Sequence, residues 1–204
     1  MKGKKLESDE TIFGNVYDKY TSRNPIVRKI ITGFAGCVTS LLSPLNCKRV
    51  IDIGCGEGYF ANIIRGIMPE VELFAFDLRS QVPALGILDR TVHFHVGSVY
   101  EMPYRNSLFD LVIAVELLEH LDDYKLALSE IKRVASGYCL FSVPNEPYWR
   151  LLNIARLKYL TELGNTPGHC QHWNRRGFAE LIKNYFEIVA VRTPLPWIVV
   201  LAKV

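Results

Sequence analysis

The chain has 204 residues, 49% hydrophobic and 22% charged, with a formal net charge of +3 from 24 Lys and Arg against 21 Asp and Glu. A chain of this size and composition can bury one ordinary core without a disulfide or metal staple, and a mainly disordered protein is excluded. The small positive excess shows no clustered basic stripe, so nothing in it signals nucleic acid as a partner.

The cysteines, Cys37, Cys47, Cys55, Cys139 and Cys170, are odd in number, widely spaced and without a CxxC pair, which argues against a disulfide framework or a zinc knuckle. Idle thiols suit a reducing compartment. The first ten residues are charged and lack an apolar h-region, and no run approaches the roughly 18 apolar residues of a spanning helix. The expectation is a soluble cytoplasmic protein.

In chain order, residues 8–22 read as a polar helix ending in Tyr17-Asp18-Lys19-Tyr20. Pro25 suits the first turn of a second helix over 25–42, stopped near Pro44. The β-branched run Lys48 to Gly54 breaks into glycines, the mark of a buried strand entering a tight turn. A helix over 58–67 follows, then a strand from Glu72 to Phe76 ended by Asp77, and another over 91–97. Phe109 to Val115 is almost wholly apolar, as a strand covered on both faces requires. A helix over 122–135, a strand over 137–143, a helix over 174–185 and strands over 186–192 and 197–203 complete the chain.

Strands alternating with helices predict a doubly wound α/β sheet, mostly parallel. No helix separates the last two strands, so an antiparallel hairpin is expected at one edge. The whole reads as one domain: an N-terminal helical cover (1–45), a cofactor-binding half (46–145), an insert (146–173), and a C-terminal helix with the hairpin (174–204).

In such sheets a ligand lies beyond the carboxyl ends of the strands, where the strand order reverses. The first βα turn is Asp52-Ile-Gly54-Cys55-Gly56-Glu-Gly58-Tyr59. Its glycines allow a sharp turn and close approach of backbone to a ligand, and the helix that follows offers free N–H groups. Asp77, 25 residues beyond Asp52, is placed to accept the hydroxyl protons of a ribose. The dinucleotide fingerprint G-x-G-x-x-G would need glycine where Tyr59 stands, which disfavours a nicotinamide cofactor.

Together with Phe76-Asp77-Leu78, Gly97-Ser98-Val99, Met102-Pro103-Tyr104, Ser107 to Val112 and Glu116-Leu-Leu-Glu-His-Leu121, this turn resembles the class I, Rossmann-like S-adenosylmethionine-dependent methyltransferases. Their type 11, ubiquinone-biosynthesis-like branch is the nearest match. The resemblance covers roughly residues 48–145 and implies a seven-stranded sheet whose last strand is antiparallel. It implies that Gly54, Cys55, Gly56 and Gly58 lie under the methionyl part of S-adenosylmethionine, with Asp52 orienting the turn or the amino group. Asp77 would take the ribose hydroxyls, Leu78 would flank the adenine, and Ser98 and Val99 would meet its edge. The family usually has Asp where this chain has Ser98. Val115 and Glu116 would face the sulfonium and the acceptor, while Tyr17 and Tyr20 resemble the tyrosines of an N-terminal lid. Asn/Asp-Pro-Pro-Tyr, common after the fourth strand in enzymes acting on bases or glutamine amides, is replaced by Val115-Glu116-Leu117-Leu118, which disfavours those acceptors.

Specificity must then come from the insert. Tyr148, Leu151, Leu152, Ala155, Tyr159 and Leu163 recur at helical spacing, with Arg150, Arg156 and Lys158 away from that stripe. The stripe predicts a helix packed over the sheet edge or site mouth; the alternative is a face (148–163) touching a membrane surface or lipid-linked acceptor. Beyond it, His169, Gln171, His172 and Trp173 occupy a loop where acceptor-binding groups belong. His169 and His172 are the candidate catalytic residues, because imidazole can take a proton near neutral pH; hydrogen-bonding the insert to the body is the competing role. Two histidines three apart lack a third ligand, so no metal is expected. His120 is expected to cap or orient the following helix. Arg150, Arg156, Lys158, Arg175 and Arg176 hint at an anionic acceptor.

The functional expectation is therefore methyl transfer from S-adenosylmethionine to an O or N of a small molecule, with a sugar or lipid-linked acceptor among the choices. The alternatives are a non-catalytic S-adenosylmethionine-binding partner subunit and, further off, an RNA or protein methyltransferase.

Overall fold

A computed structural model describes residues 22–78, 89–155 and 159–204. The helix expected over 8–22, with Tyr17 and Tyr20, lies outside the described residues but for Ser22, and so do Arg156 and Lys158.

Helix α1 (Pro25–Leu42) begins where Asn24 caps it, its Oδ1 accepting from the amides of Ile26 (2.9 Å) and Val27 (3.4 Å), with Pro25 in the first turn. Strand β1 (Arg49–Ile53) leads through the glycine turn into α2 (Tyr59–Ile67), and β2 (Glu72–Asp77) and β3 (His93–Val96) follow. Strand β4 (Phe109–Val115), a 3₁₀ turn (Leu118–His120), α3 (Tyr124–Val134) and β5 (Ala135–Pro144) come next. The insert holds α4 (Tyr148–Ala155) and a second 3₁₀ turn (Leu160–Glu162); α5 (Arg175–Lys183), β6 (Glu187–Arg192) and β7 (Trp197–Lys203) end the chain.

The seven strands form one sheet in the order β3-β2-β1-β4-β5-β7-β6. Pairing is parallel from β3 to β5, and β7 runs antiparallel to both β5 and β6, so the last strand is inserted beside its edge neighbour. This is the doubly wound sheet and hairpin that the alternation of elements predicted.

Period-two burial divides the core into two layers. Val50, Leu73, Leu111, Ile113, Leu140 and Val199 meet Phe34 of α1 and Phe60 and Ile64 of α2. Ile51, Ile53, Val112, Ala114, Phe141 and Val200 meet Leu128 and Ile131 of α3 and Phe178 and Ile182 of α5. Strand order reverses between β1 and β4, and the glycine turn opens at that point.

One element departs from the sequence expectation on hydropathy. By length and composition α1, with 18 residues and mean hydropathy 1.3, could cross a membrane. It carries Arg28 and Lys29, and it buries one stripe, Ile31, Phe34, Val38, Leu41 and Leu42, against the sheet layer.

Candidate functional site

At the carboxyl end of β1 the chain turns through three glycines with positive φ, Gly54 (68°), Gly56 (53°) and Gly58 (84°). Gly54 is held twice over: a side chain there would be strained in the left-handed region, and its Cβ would stand 2.9 Å from Leu117 Cδ1. The turn hangs on the end of β2. The amides of Gly54 and Cys55 donate to the Phe76 carbonyl (2.7 and 3.2 Å), and the Gly56 amide donates to Asp77 Oδ2 at 2.9 Å. Asp77 thus shapes the turn with one oxygen, and Leu78 beside it is 60% exposed, an apolar side chain left open at the strand end.

Asp52 is buried at 2% exposure under the same turn. Gly58, at the helix N-cap, has no side chain to offer, and the Asp52 carboxylate instead accepts from the Ala61 amide in the first turn of α2. Its Oδ2 is buried without a hydrogen-bond partner among the described residues. Burial first, and then the charge of Asp77, push the Asp52 carboxyl up to about 8, against the pull of the Ala61 amide. A buried oxygen of this kind, pointing at no donor in the fold, suits a donor brought by a ligand.

Beyond β3, Ser98 is half-buried and its Oγ accepts from the Tyr100 amide at 3.3 Å, while Val99 is buried. That loop is clamped from behind by Arg133, which donates to the carbonyls of Met102 (2.9 Å) and Tyr104 (2.6 Å) and pairs with Glu130 at 2.7 Å. The Arg133 guanidinium holds the Glu130 carboxyl below its ordinary range. Val115 is buried at the end of β4, and Glu116 takes a positive φ of 53° there. Glu116 Oε1 accepts from the Trp197 indole at 2.7 Å, so β7 fixes the carboxylate at the end of β4. Trp197 in turn stacks on Phe34 of α1 with ring centroids 4.3 Å apart.

The acceptor side differs from the expectation in four respects. First, the histidines separate. His169 is buried, 4.8 Å from the His120 ring and 6.0 Å from the Trp149 ring. His172 is exposed and bonded through Nε2 to Asn165 Oδ1 at 2.7 Å; partial burial, and then Arg150, lower its pKa. Only His169 comes beside His120.

Second, His120 does not cap α3. Asp123 does, its side chain accepting from the Leu126 amide at 3.0 Å, while His120 Nδ1 bonds the Gly168 carbonyl at 2.9 Å. Third, the apolar stripe faces outward: Tyr148 and Leu151 of α4, and Leu163 beyond it, are 52%, 57% and 73% exposed. The helix is instead anchored by Asn153, buried and donating to the Gly164 carbonyl (2.9 Å) and Thr166 Oγ1 (3.2 Å), and by the Trp149 indole donating to Thr166 Oγ1 (2.9 Å). Fourth, two of the cations are engaged by acids. Arg150 pairs with Glu146 (3.6 Å) and Arg176 with Glu180 (3.0 Å), each i to i+4, while Arg156 and Lys158 lie outside the described residues.

Glu119 and His120 form a pair in the sequence similar to the Glu-His pair common in type 11 methyltransferases. The fold buries Glu119 to 1% exposure and brings His169 to it from 50 residues away. The signal that could have found it is the adjacent Glu119-His120 pair past the fourth strand; the distant partner is legible only in three dimensions.

A sheet of this order, with a glycine turn and an acid at its switch point, defines a Rossmann-like methyltransferase fold. Over residues 29–191 the chain matches the methyltransferase domain family, and it belongs to that family. It is 27% identical over 136 residues to demethylmenaquinone methyltransferase of Roseiflexus sp., covering 65% of this chain and 57% of that protein. It is also 27% identical over 151 residues to an uncharacterized methyltransferase of Schizosaccharomyces pombe, covering 64% and 51%. The matched part therefore spans little more than half the length of these curated relatives. Among solved structures, the PH0226 protein of Pyrococcus horikoshii superposes with a TM-score of 0.67 at 17% identity, over 92% of this chain and 96% of that one. A SAM-dependent methyltransferase of Aquifex aeolicus gives 0.60 at 16% identity, over 80% and 87%.

Proposed function

We propose that the chain binds S-adenosylmethionine across the Gly54–Gly58 turn and passes its methyl group to an oxygen or nitrogen of a small-molecule acceptor. The observation that carries this reading is the turn's construction around two acids. Asp77 accepts from Gly56, and Asp52 lies buried beneath with Oδ2 lacking a partner among the described residues.

Bound there, the cofactor would supply a methyl group already activated on a sulfonium. The chain's own work is then to hold and to exclude water. Asp77 would accept from the ribose hydroxyls with the carboxylate that also fixes the turn. The exposed side chain of Leu78 would cover one face of the adenine, with Ser98 and Val99 at its edge. Asp52 would meet the cofactor's ammonium group either directly or through the turn amides it supports. Val115 and Glu116 would line the reacting end, the latter kept in place by Trp197. His169, buried opposite on the insert, would bind the acceptor or take its proton; His172, exposed and tied to Asn165, would support the loop. Placing an acceptor atom in line with an activated methyl group is worth up to roughly 7–11 kcal/mol, which is why positioning residues outnumber any base here.

The test is transfer of labelled methyl from S-adenosylmethionine to a metabolite extract by the purified chain. Label in a small-molecule fraction, lost in Asp77→Ala, supports the reading. An unlabelled extract with intact cofactor binding would favour a binding subunit instead.

A further inference from the structure

At the start of α1 and in the loop between β6 and β7, the chain carries cations and apolar side chains but no acids. Residues 22–51 and 188–204 contain no Asp or Glu. Ile26 of α1 and Leu195 of the loop are 69% and 55% exposed. We propose that this end of the molecule docks on an anionic lipid bilayer, with Ile26 and Leu195 inserted and Arg23, Arg28, Lys29 and Arg192 over the headgroups.

The two segments form one surface. Lys29, Ile30, Gly33 and Phe34 of α1 line a groove of about 400 Å³ together with Pro194 and Leu195. Ile26 stands one turn before Ile30 on the same side of the helix. Gly33 keeps the groove open, since no atom lies within 4 Å of where its Cβ would stand. Burial pushes the Cys37 thiol up and Arg192 pulls it down, which sets Arg192 beside α1 as well. Helix α1 has a mean hydropathy of 1.3, yet only 28% of it is buried, so much of an apolar helix is left uncovered.

Charge chooses the partner. Among the described residues Arg23, Arg28, Lys29 and Arg192 make no ion pair, so their charge is open to an anionic surface. Each Lys or Arg within a Debye length of anionic lipid strengthens binding about fivefold, and each apolar side chain entering the headgroup boundary adds about tenfold. Four cations around two apolar tips give the balance of an interfacial surface: the charge attracts, and the tips need hydrocarbon rather than phosphate alone. The face of α4, although apolar, suits such a surface less well. Its Arg150 pairs with Glu146, and Glu162 is exposed next to Leu163.

Docking here brings the bilayer close to the candidate site. Phe34, at the groove, stacks on Trp197 with centroids 4.3 Å apart, and the Trp197 indole donates to Glu116 at 2.7 Å. An acceptor held in the lipid phase would then enter near the reacting end. That consequence rests on the methyl-transfer reading; the docking does not.

The experiment is co-sedimentation of the full chain with vesicles of equal parts phosphatidylcholine and phosphatidylglycerol, and with vesicles of phosphatidylcholine alone. Binding to the anionic vesicles only is expected, weakened more than about tenfold by high salt. Arg28→Gln with Lys29→Gln should weaken it about 25-fold, and Ile26→Ser and Leu195→Ser about tenfold each, while Leu151→Ser leaves it unchanged. Circular dichroism and S-adenosylhomocysteine calorimetry on the same proteins report the fold and the cofactor end separately. A folded wild-type chain left in the supernatant overturns the proposal, as does equal binding to both kinds of vesicle. Binding that Ile26→Ser and Leu195→Ser leave unchanged is attraction by charge alone, as a nucleic acid would also give, and overturns it too. A chain that ignores vesicles but dimerises through Ile26 assigns the face to a second copy instead. Vesicle binding without S-adenosylhomocysteine binding upholds the docking and overturns the methyl-transfer reading alone.

Discussion

The glycine turn follows β1 and the insert loop docks on the turn after β4, and the two are held by different means. The turn is fixed through its own backbone amides: those of Gly54, Cys55 and Gly56 on the carbonyl of Phe76 and the carboxylate of Asp77. The loop adds distant side chains to its backbone bonds on the Glu119 carbonyl: His120 on the Gly168 carbonyl, Trp149 and Asn153 on Thr166. Backbone-held geometry demands particular residues at particular spacings. Side-chain-held geometry leaves wide freedom of sequence, which suits a region that chooses the acceptor.

The contrast can be broken from the turn side with the largest effect. Asp77→Ala removes the acceptor of the Gly56 amide and the proposed ribose contacts, and S-adenosylhomocysteine affinity should fall about 100-fold or more, on the order of 3 kcal/mol, by calorimetry. Gly54→Ala forces a Cβ into a φ of 68° against Leu117 and should cost about 1–2 kcal/mol in denaturant unfolding, with cofactor binding weakened in parallel. Trp197→Phe takes the donor from Glu116 while keeping an aromatic ring on Phe34, and should cost about 1–2 kcal/mol by the same measurement.

Asp52 gives a pH signature. Its pKa is raised in the folded chain to about 8, so the folded state favours the protonated form. The stability this gives is complete below the carboxyl's unfolded value near 4 and is lost as pH rises towards 8. Asp52→Asn should abolish that part of the pH dependence. If the ammonium group of the cofactor meets this carboxylate, S-adenosylhomocysteine affinity should rise as pH climbs from 6 to 8, with proton release seen as a buffer-dependent binding enthalpy. The smallest effect belongs to an exposed pair on α5. Arg176→Ala breaks only a 3.0 Å contact with Glu180 and should change stability by less than about 1 kcal/mol, leaving cofactor affinity untouched.

The same contrast explains what the sequence disclosed. β1, β4 and β7 are legible because burial demands apolar runs, and the three glycines because their positive φ needs that residue type. α4 misled because hydrophobic periodicity rewards Tyr148 and Leu151 and cannot see that Asn153, satisfied by two hydrogen bonds, is the residue turned inward. His169 and His172 looked equivalent three residues apart. Only the docking of the loop on Glu119 buries one and leaves the other in solvent.

The central claim is that Asp52, the glycine turn and Asp77 form an S-adenosylmethionine site. Calorimetric titration of S-adenosylhomocysteine into the wild-type chain and into Asp77→Ala tests it most directly. The account predicts saturable one-to-one binding by the wild type and a loss of about 100-fold in the variant. No heat of binding from a folded wild-type chain, or equal affinity for both proteins, would contradict it.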